Sequence, residues 1–235
     1  MKNKVVISLI AILTLIACKA PSLTVRYSKE ISLKNIDFGQ KEVFFIPMTH
    51  IGEDSYYSDI SKQIDSMKSQ GFKVYYESIA NPIDLDSTSN DLSFRKLRKI
   101  NGWNIFNRYN SKTGVFQNGV QLKNEKGLKL QRNKELGIDE FDRKVDIPNY
   151  KLISLFEHKY GEIELSKCDY RTNLNSSEYK CKKIQKELTK KFSNEFILNL
   201  RNENLINEIE TSNDKKILVL YGAGHFKGLK ELIEK

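Results

Sequence analysis

The sequence predicts an α/β fold in which a central, mixed and partly parallel sheet is flanked by helices. Three short apolar runs, at residues 43–46, 72–78 and 217–220, are typical of buried strands. Two of them are followed shortly by a histidine, His50 and His225. Because turns after parallel strands place polar groups above the carboxyl edge of a sheet, we expect both histidines to face a cleft there.

Length and composition favour one domain and exclude some partners. The 235 residues fit a single α/β domain after a removable N-terminal segment. The formal net charge is +9, and 29% of the residues are charged. Basic residues are spread among acidic ones and form no stripe interleaved with aromatic residues, so we predict no nucleic-acid partner. The composition instead indicates a solvated surface with mild attraction to anionic membranes.

Residues 1–17 have the pattern of a bacterial lipoprotein signal peptide. A basic start precedes an apolar stretch, residues 5–16, that is shorter than the roughly 20 apolar residues of a membrane span. Leu15-Ile16-Ala17-Cys18 resembles a lipobox, whose cysteine is diacylated and becomes the mature N-terminus. We therefore predict lipidation of Cys18, a tether over residues 18–40 and one domain over 41–235. The protein would be anchored outside the cytoplasm to a bacterial membrane. An ordinary signal peptide is the alternative.

Glu77 is the acidic candidate in the first half. Residues 55–69 have helical apolar spacing, and Gly71 ends that stretch. Strand, helix and strand within about 35 residues form a right-handed unit, which predicts that strands 42–46 and 72–78 are parallel neighbours. Glu77, at the end of the second strand, should then share an edge with His50. A purely structural acid is the alternative.

The middle and late segments contribute fewer candidates. Helices are predicted over 92–100, 150–160 and 182–209, and His158 on the second of these is expected at the surface. The aromatic residues within 103–116 favour packing, with the lining of a binding groove as the alternative. Cys168 and Cys181 suggest a disulfide in an exported protein, with free thiols as the alternative.

Several residues occur in an order that can be compared with a known family. They are His50-Ile51-Gly52, Glu77, Arg201-Asn202 and Gly222-Ala223-Gly224-His225-Phe226-Lys227-Gly228. Together they resemble the TraB/PrgY/GumN family, over about residues 42–235. Lys144-Val145-Asp146, with Gln131 upstream, is similar to a further Ala-Asp position of that family. Its relatives include the TIKI metalloproteases and, more distantly, the erythromycin esterases and the ChaN-like haem-binding lipoproteins.

The resemblance implies a TIKI-like (erythromycin esterase/ChaN-like) fold and a metal site. In TIKI-like members two GxxH histidines and a glutamate form a divalent-metal-dependent peptidase site. Carried over, His50, Glu77 and His225 would hold manganese, cobalt, zinc or iron, and Glu77 could also act as the base. His225 matches its motif fully, whereas Pro47 stands where the family has glycine before His50. Since proline fixes φ near −65°, the first turn is expected to differ in shape.

Two functions follow from these residues. The first is a lipid-anchored, metal-dependent hydrolase that acts on a peptide or small molecule with His50, Glu77, His225 and Arg201 in its catalytic site. Arg201 would bind a substrate carboxylate or stabilise an oxyanion, and a helix-surface charge is its alternative role. The second function is a non-catalytic lipoprotein that binds a peptide signal or haem. Pro47 and the lack of an evident second acid near the histidines motivate it. An interaction protein with vestigial histidines is a weaker third possibility.

Overall fold

The structure is a computed structural model of the 235-residue chain. It describes residues 31–78, 80–102, 131–176 and 179–234 in full. Elsewhere it describes only the backbone of short strands, namely Ser22–Leu23, Tyr109–Asn110, Val115–Phe116, Gln121–Leu122 and Leu128–Leu130. The predicted signal peptide, Cys18 and most of the aromatic stretch therefore lie outside the described residues.

Five strands form the central sheet. They are β1 (Lys34–Phe38), β2 (Lys41–Met48), β3 (Lys73–Tyr76), β4 (Arg143–Lys144) and β5 (Lys216–Gly222). Their spatial order is β4-β3-β5-β2-β1. The first four strands in this order pair in parallel, and β1 pairs antiparallel with β2. The predicted α/β class with a mixed, partly parallel sheet is confirmed.

The prediction that β2 and β3 are neighbours was wrong, although they are parallel. β5 lies between them, and its Ile217 is paired with Val43 on one side and with Lys73 on the other. Apart from Lys216, every residue of β5 is buried, so this strand takes the centre of the sheet, where both faces are covered. The carboxyl ends of β2 and β3 still meet at one edge, on either side of β5.

β1 belongs to a segment that the sequence analysis assigned to the tether. Its central residue, Ile36, is buried and lies opposite Val43 of β2. The other residues of β1 are exposed or half-buried, as is usual for an edge strand, so the sequence pattern gave little sign of it. The folded part therefore includes Lys34–Phe38 and does not begin at residue 41.

Helices cover both faces of the sheet. The α-helices within the described ranges are α1 (Asp54–Ser69), α2 (Ser87–Asn101), α3 (Asn149–Tyr160), α4 (Lys167–Arg171), α5 (Lys186–Lys191), α6 (Arg201–Thr211) and α7 (Ala223–Ile233). A π-helical segment, Phe192–Leu200, joins α5 to α6 in one continuous helix, and Asn133–Leu136 is a 3₁₀ helix. The four predicted helices are thus all present.

Alternation along the strands divides the core into two layers. In β5, Ile217, Val219 and Tyr221 pack on one face with residues of α6 and α7. Leu218 and Leu220 point to the other face and pack with residues of α1. A third cluster joins α2, α3 and the π-helical segment. None of the helices in the described part of the chain has the length and apolarity to span a membrane.

Candidate functional site

Three strand ends bring His50, Glu77 and Gly222 together at the carboxyl edge of the sheet. β2 ends shortly before His50, β3 ends just before Glu77, and β5 ends at Gly222. Because β5 is the middle strand, Gly222 lies between the other two residues. A Cβ atom at Gly222 would be 3.2 Å from both Glu77 Oε2 and His50 Nε2. The site therefore needs a residue without a side chain at this point.

His225 and His50 have different environments. His225 lies in the first turn of α7 and is only 4% exposed, so the expectation that it faces an open cleft was wrong. The side chain of His50, in contrast, is 54% exposed. Burial, together with the nearby positive charge of Arg201, lowers the pKa of His225 to about 4. His225 is therefore a neutral imidazole at neutral pH, and solvent reaches the cluster from the side of His50.

Arg201 is buried at the start of α6 and connects the two acids of the site. Its Nη2 donates to Glu77 Oε1 at 2.6 Å and to Asp146 Oδ2 at 2.7 Å, and its Nε donates to Asp146 Oδ1 at 2.7 Å. Its Nη1 lies 3.4 Å from His225 Nε2. Arg201 is thus not a helix-surface charge. Because its donors are engaged within the protein, it orients Glu77 and does not present a free guanidinium to a substrate.

Glu77 is held as a carboxylate. Burial alone would raise its pKa, but the charge of Arg201, the proximity of His50 and hydrogen bonds outweigh burial and lower the pKa below its ordinary value. One of these bonds comes from the Gly222 backbone N–H, which donates to Oε2 at 2.6 Å. Both carboxylate oxygens therefore have a fixed partner.

A side-chain amide orients each imidazole. Asn202 Nδ2 donates to the backbone carbonyl of His225 at 3.3 Å, so its Oδ1, 2.7 Å from His225 Nδ1, accepts the Nδ1–H proton. In the same way, Gln131 Nε2 donates to Asn133 Oδ1 at 3.2 Å, and its Oε1 lies 3.1 Å from His50 Nδ1. In both histidines the lone pair then resides on Nε2. These nitrogens lie 3.9 Å (His50) and 4.0 Å (His225) from an oxygen of Glu77.

Asp146 and Tyr221 complete the cluster. Asp146 comes directly after Val145, whose N–H bonds to the Tyr76 carbonyl next to β4, and its side chain is fully buried. The Tyr221 hydroxyl donates to the Val145 carbonyl at 3.0 Å, and its ring meets the His225 ring edge-on at 5.3 Å. Asp146 was singled out only through the family resemblance, and Tyr221 had no predicted role. For Asp146 the available signal was its position after a short apolar run, the same signal that identified Glu77.

The proline before His50 lies within β2 and not in the turn that follows it. Pro47 and Met48 are the last residues of β2, so the chain leaves the strand only at Thr49. β1 pairs with β2 no further than Phe45. Pro47 therefore lies beyond that pairing, at an edge where a residue without N–H is tolerated.

The remaining candidates lie away from the cluster. His158 is exposed on α3. Cys168 and Cys181 are joined by a disulfide bond, which links α4 to the segment before α5. Arg95 of α2 also holds this region, because it donates to the carbonyls of Asp169, Tyr170 and Thr172. These contacts are structural.

Within the described ranges, no three His, Cys, Asp or Glu side chains are grouped closely enough to hold a metal ion as they stand. The guanidinium of Arg201 supplies the positive charge beside Glu77 and His225. Comparisons with protein-family models, curated proteins and solved structures found no match for the chain. The chemistry of the cluster is therefore inferred from its residues.

Proposed function

We propose that the protein is an exported, lipid-anchored hydrolase of the TraB/PrgY/GumN type that cleaves a peptide or another small molecule with the help of a divalent metal ion. One observation carries the proposal. His50, Glu77 and His225 converge around Gly222, and both imidazoles are oriented so that Nε2 is the unprotonated nitrogen. A TIKI-like fold is part of the same proposal.

The donor set suits a first-row divalent ion. Neutral imidazoles and a carboxylate are ligands for manganese, cobalt, zinc or iron. Histidines that bind metals usually donate their other ring N–H to a fixed acceptor, as Asn202 and Gln131 provide here. Two carboxylates, Glu77 and Asp146, face the single guanidinium of Arg201, which leaves a negative charge that a cation would balance. His50, Glu77 and His225 would hold the ion, whose bound water has a pKa near neutrality.

The residues of the chain then have distinct tasks. His50 is the exposed member and meets the substrate first. Glu77, kept ionised by Arg201, would be the acceptor for the proton of the attacking water. Arg201 and Asp146 are positioning residues, since they contact Glu77 or each other and are buried away from solvent.

The test combines metal content and hydrolysis of a peptide library by the full chain purified in detergent. Wild type is expected to retain about one divalent ion and to hydrolyse at least one peptide. His225→Ala and His50→Ala should each lower both readouts at least about 100-fold, because a ligand is lost. His158→Ala is the matched control and should behave as wild type. Full hydrolysis by His225→Ala would refute the proposal.

The lipid anchor is tested separately. Labelling of cells with a fatty acid should mark the protein, and Cys18→Ser should abolish the label. An equally labelled variant would show that Cys18 is not the acylated residue.

A binding protein for haem or a peptide signal is the second candidate. One observation favours it. Each carboxylate oxygen of Glu77 already accepts a hydrogen bond, one from Arg201 and one from the Gly222 N–H, which makes the carboxylate a weaker base. Titration with haem distinguishes this function. A Soret band that requires His50, in a protein without hydrolytic activity, would support it, whereas no band at micromolar haem would exclude the haem version.

A further inference from the structure

Residues 180–191 form the most basic stretch of the described chain. They contain six lysines and a single acid, Glu187. We use the name basic surface for the exposed side chains of Lys182, Lys183, Lys186 and Lys190. Lys186 and Lys190 lie one turn apart on α5, and Lys182 and Lys183 come just before the helix.

The charge of this surface is mostly uncompensated. Lys190 pairs with Glu187 at 3.2 Å. Among the described residues, no acidic side chain forms an ion pair with Lys182, Lys183 or Lys186. Such clustered, unpaired lysines repel one another, and the approach of an anionic surface lowers their electrostatic free energy.

The basic surface is held rigidly. The Ile184 N–H donates to the Lys99 carbonyl at 3.4 Å, and Thr189 Oγ1 donates to the Ile100 carbonyl at 3.1 Å. Cys181, just before it, is bonded to Cys168. The lysines are therefore carried by a fixed scaffold, and the side chain of Lys183 lies across Gly102 at the end of α2.

The surface lies beyond the edge of the sheet that carries the site. The continuous helix α5–α6 has Arg201 at the carboxyl edge, and its far end meets the start of β2, where Lys41 Nζ donates to the Ile209 and Ser212 carbonyls. Going back from Arg201 to Lys191 therefore moves away from the sheet, by roughly 15 Å at 1.5 Å per residue. The basic surface and the site are thus at the same end of the domain.

We infer that the basic surface docks on anionic phospholipid headgroups and turns the carboxyl edge of the sheet toward the bilayer. The inference does not require hydrolysis, and the proposed anchor serves only to keep the domain at the membrane. Each lysine near an anionic surface should strengthen docking roughly fivefold.

The test measures the reactivity of individual lysines. The full chain is reconstituted in vesicles of phosphatidylcholine or of equal parts phosphatidylcholine and phosphatidylglycerol, treated briefly with an acetylating reagent and analysed by mass spectrometry. On the anionic vesicles Lys182, Lys183 and Lys186 should react at least fivefold more slowly. Lys215 and Lys230, exposed toward the opposite edge of the sheet, should react equally on both. Salt at about 0.5 M should remove the protection, because it screens exposed charges.

Two triple variants sharpen the result. Replacement of Lys182, Lys183 and Lys186 by Gln should abolish the protection of Lys190. Replacement of Lys215, Lys216 and Lys230 by Gln, which lie toward the opposite edge of the sheet, should preserve it. Equal reactivity of the basic surface on both kinds of vesicle would overturn the inference, and so would equal slowing of every lysine. Hydrolysis does not enter this readout, so its absence would refute only the proposed enzymatic function.

Discussion

Arg201 Nη2 donates at once to carboxylates that follow two different strands, Glu77 Oε1 at 2.6 Å and Asp146 Oδ2 at 2.7 Å. Arg201 is also the first residue after the π-helical segment, and both it and Asn202 face the site although adjacent helical residues normally diverge. π-Helical segments are frequent at functional sites. Here one ends directly before the two residues that bond to Glu77 and to His225.

Removal of the buried guanidinium of Arg201 should destabilise the folded protein. In Arg201→Met, Glu77 and Asp146 would face each other without compensation, and we expect a loss of about 3–5 kcal/mol in the free energy of unfolding. Urea denaturation followed by circular dichroism measures it. Lys230→Met breaks an exposed pair with Glu234 and should cost less than about 1 kcal/mol. A loss in Arg201→Met no larger than in this control would contradict the buried network.

Gly222 offers a test of the packing at the centre of the site. Its φ is −51°, which alanine adopts readily, so the backbone should tolerate Gly222→Ala. The new methyl group would lie 3.2 Å from Glu77 Oε2 and from His50 Nε2 and would push these groups apart. The shift needed is a few tenths of an ångström, so we expect the proposed hydrolysis to fall by up to about 10-fold, less than the roughly 100-fold effect of a 1 Å displacement.

Gly224→Ala is the matched control for Gly222→Ala. It adds the same methyl group two residues later in the same turn, where no atom lies within 4 Å of it. This variant should keep its activity and gain up to about 1 kcal/mol in stability, because alanine is the better helix former. Equal activity of both variants would show that Glu77 and His50 do not act together across Gly222.

Loss of the side-chain amide of Asn202 should destabilise the folded protein. Asn202→Leu leaves the Nδ1–H of a buried imidazole without an acceptor, which costs about 1–3 kcal/mol. Asn207→Leu, on the exposed side of the same helix, should change stability by no more than about 0.5 kcal/mol. Urea denaturation of the two variants compares them directly, and similar stabilities would argue against the Asn202–His225 bond.

Individual helices and strands could be predicted from the sequence where a local pattern of apolar residues is sufficient to identify them. The apolar periodicity of α1, α3 and the α5–α6 helix identified these helices, and the aliphatic run of β5 identified the most buried strand. The order of strands could not be read in the same way. Whether β5 enters between β2 and β3 depends on long-range burial, and β1 has only Ile36 facing the core.

The same distinction applies to the site. His50 and Glu77 could be placed because parallel strands end at a common edge, a rule that needs no side-chain information. Asn202, Gln131 and Asp146 were named only through the family resemblance. The contacts that give them their roles join residues more than 20 positions apart and cannot be derived from the sequence. The structure also supplies the second acid that the sequence analysis could not see near the histidines, and so removes one reason for favouring a binding protein.

The lowered pKa of Asp169, a residue far from the site, makes the stability of the folded protein depend on pH. Burial alone would raise its pKa, but hydrogen bonds from Lys99, Tyr179 and Ser166 outweigh burial and lower it from 3.8 to about 2. The folded state therefore binds this proton less readily than the unfolded chain. The resulting stability, about 2 kcal/mol, is fully present above about pH 5 and is lost as the pH falls toward 2.

A comparison with Asp169→Asn isolates this contribution from general acid denaturation. The variant cannot titrate at this position, so the difference in unfolding free energy between wild type and variant should narrow by about 1 kcal/mol from pH 5.5 to pH 3. Urea denaturation at both pH values gives the two differences. Asp84→Asn, a change at an exposed acid, serves as the control. A difference that stays constant for Asp169→Asn would mean that its pKa is the same in the folded and unfolded chains.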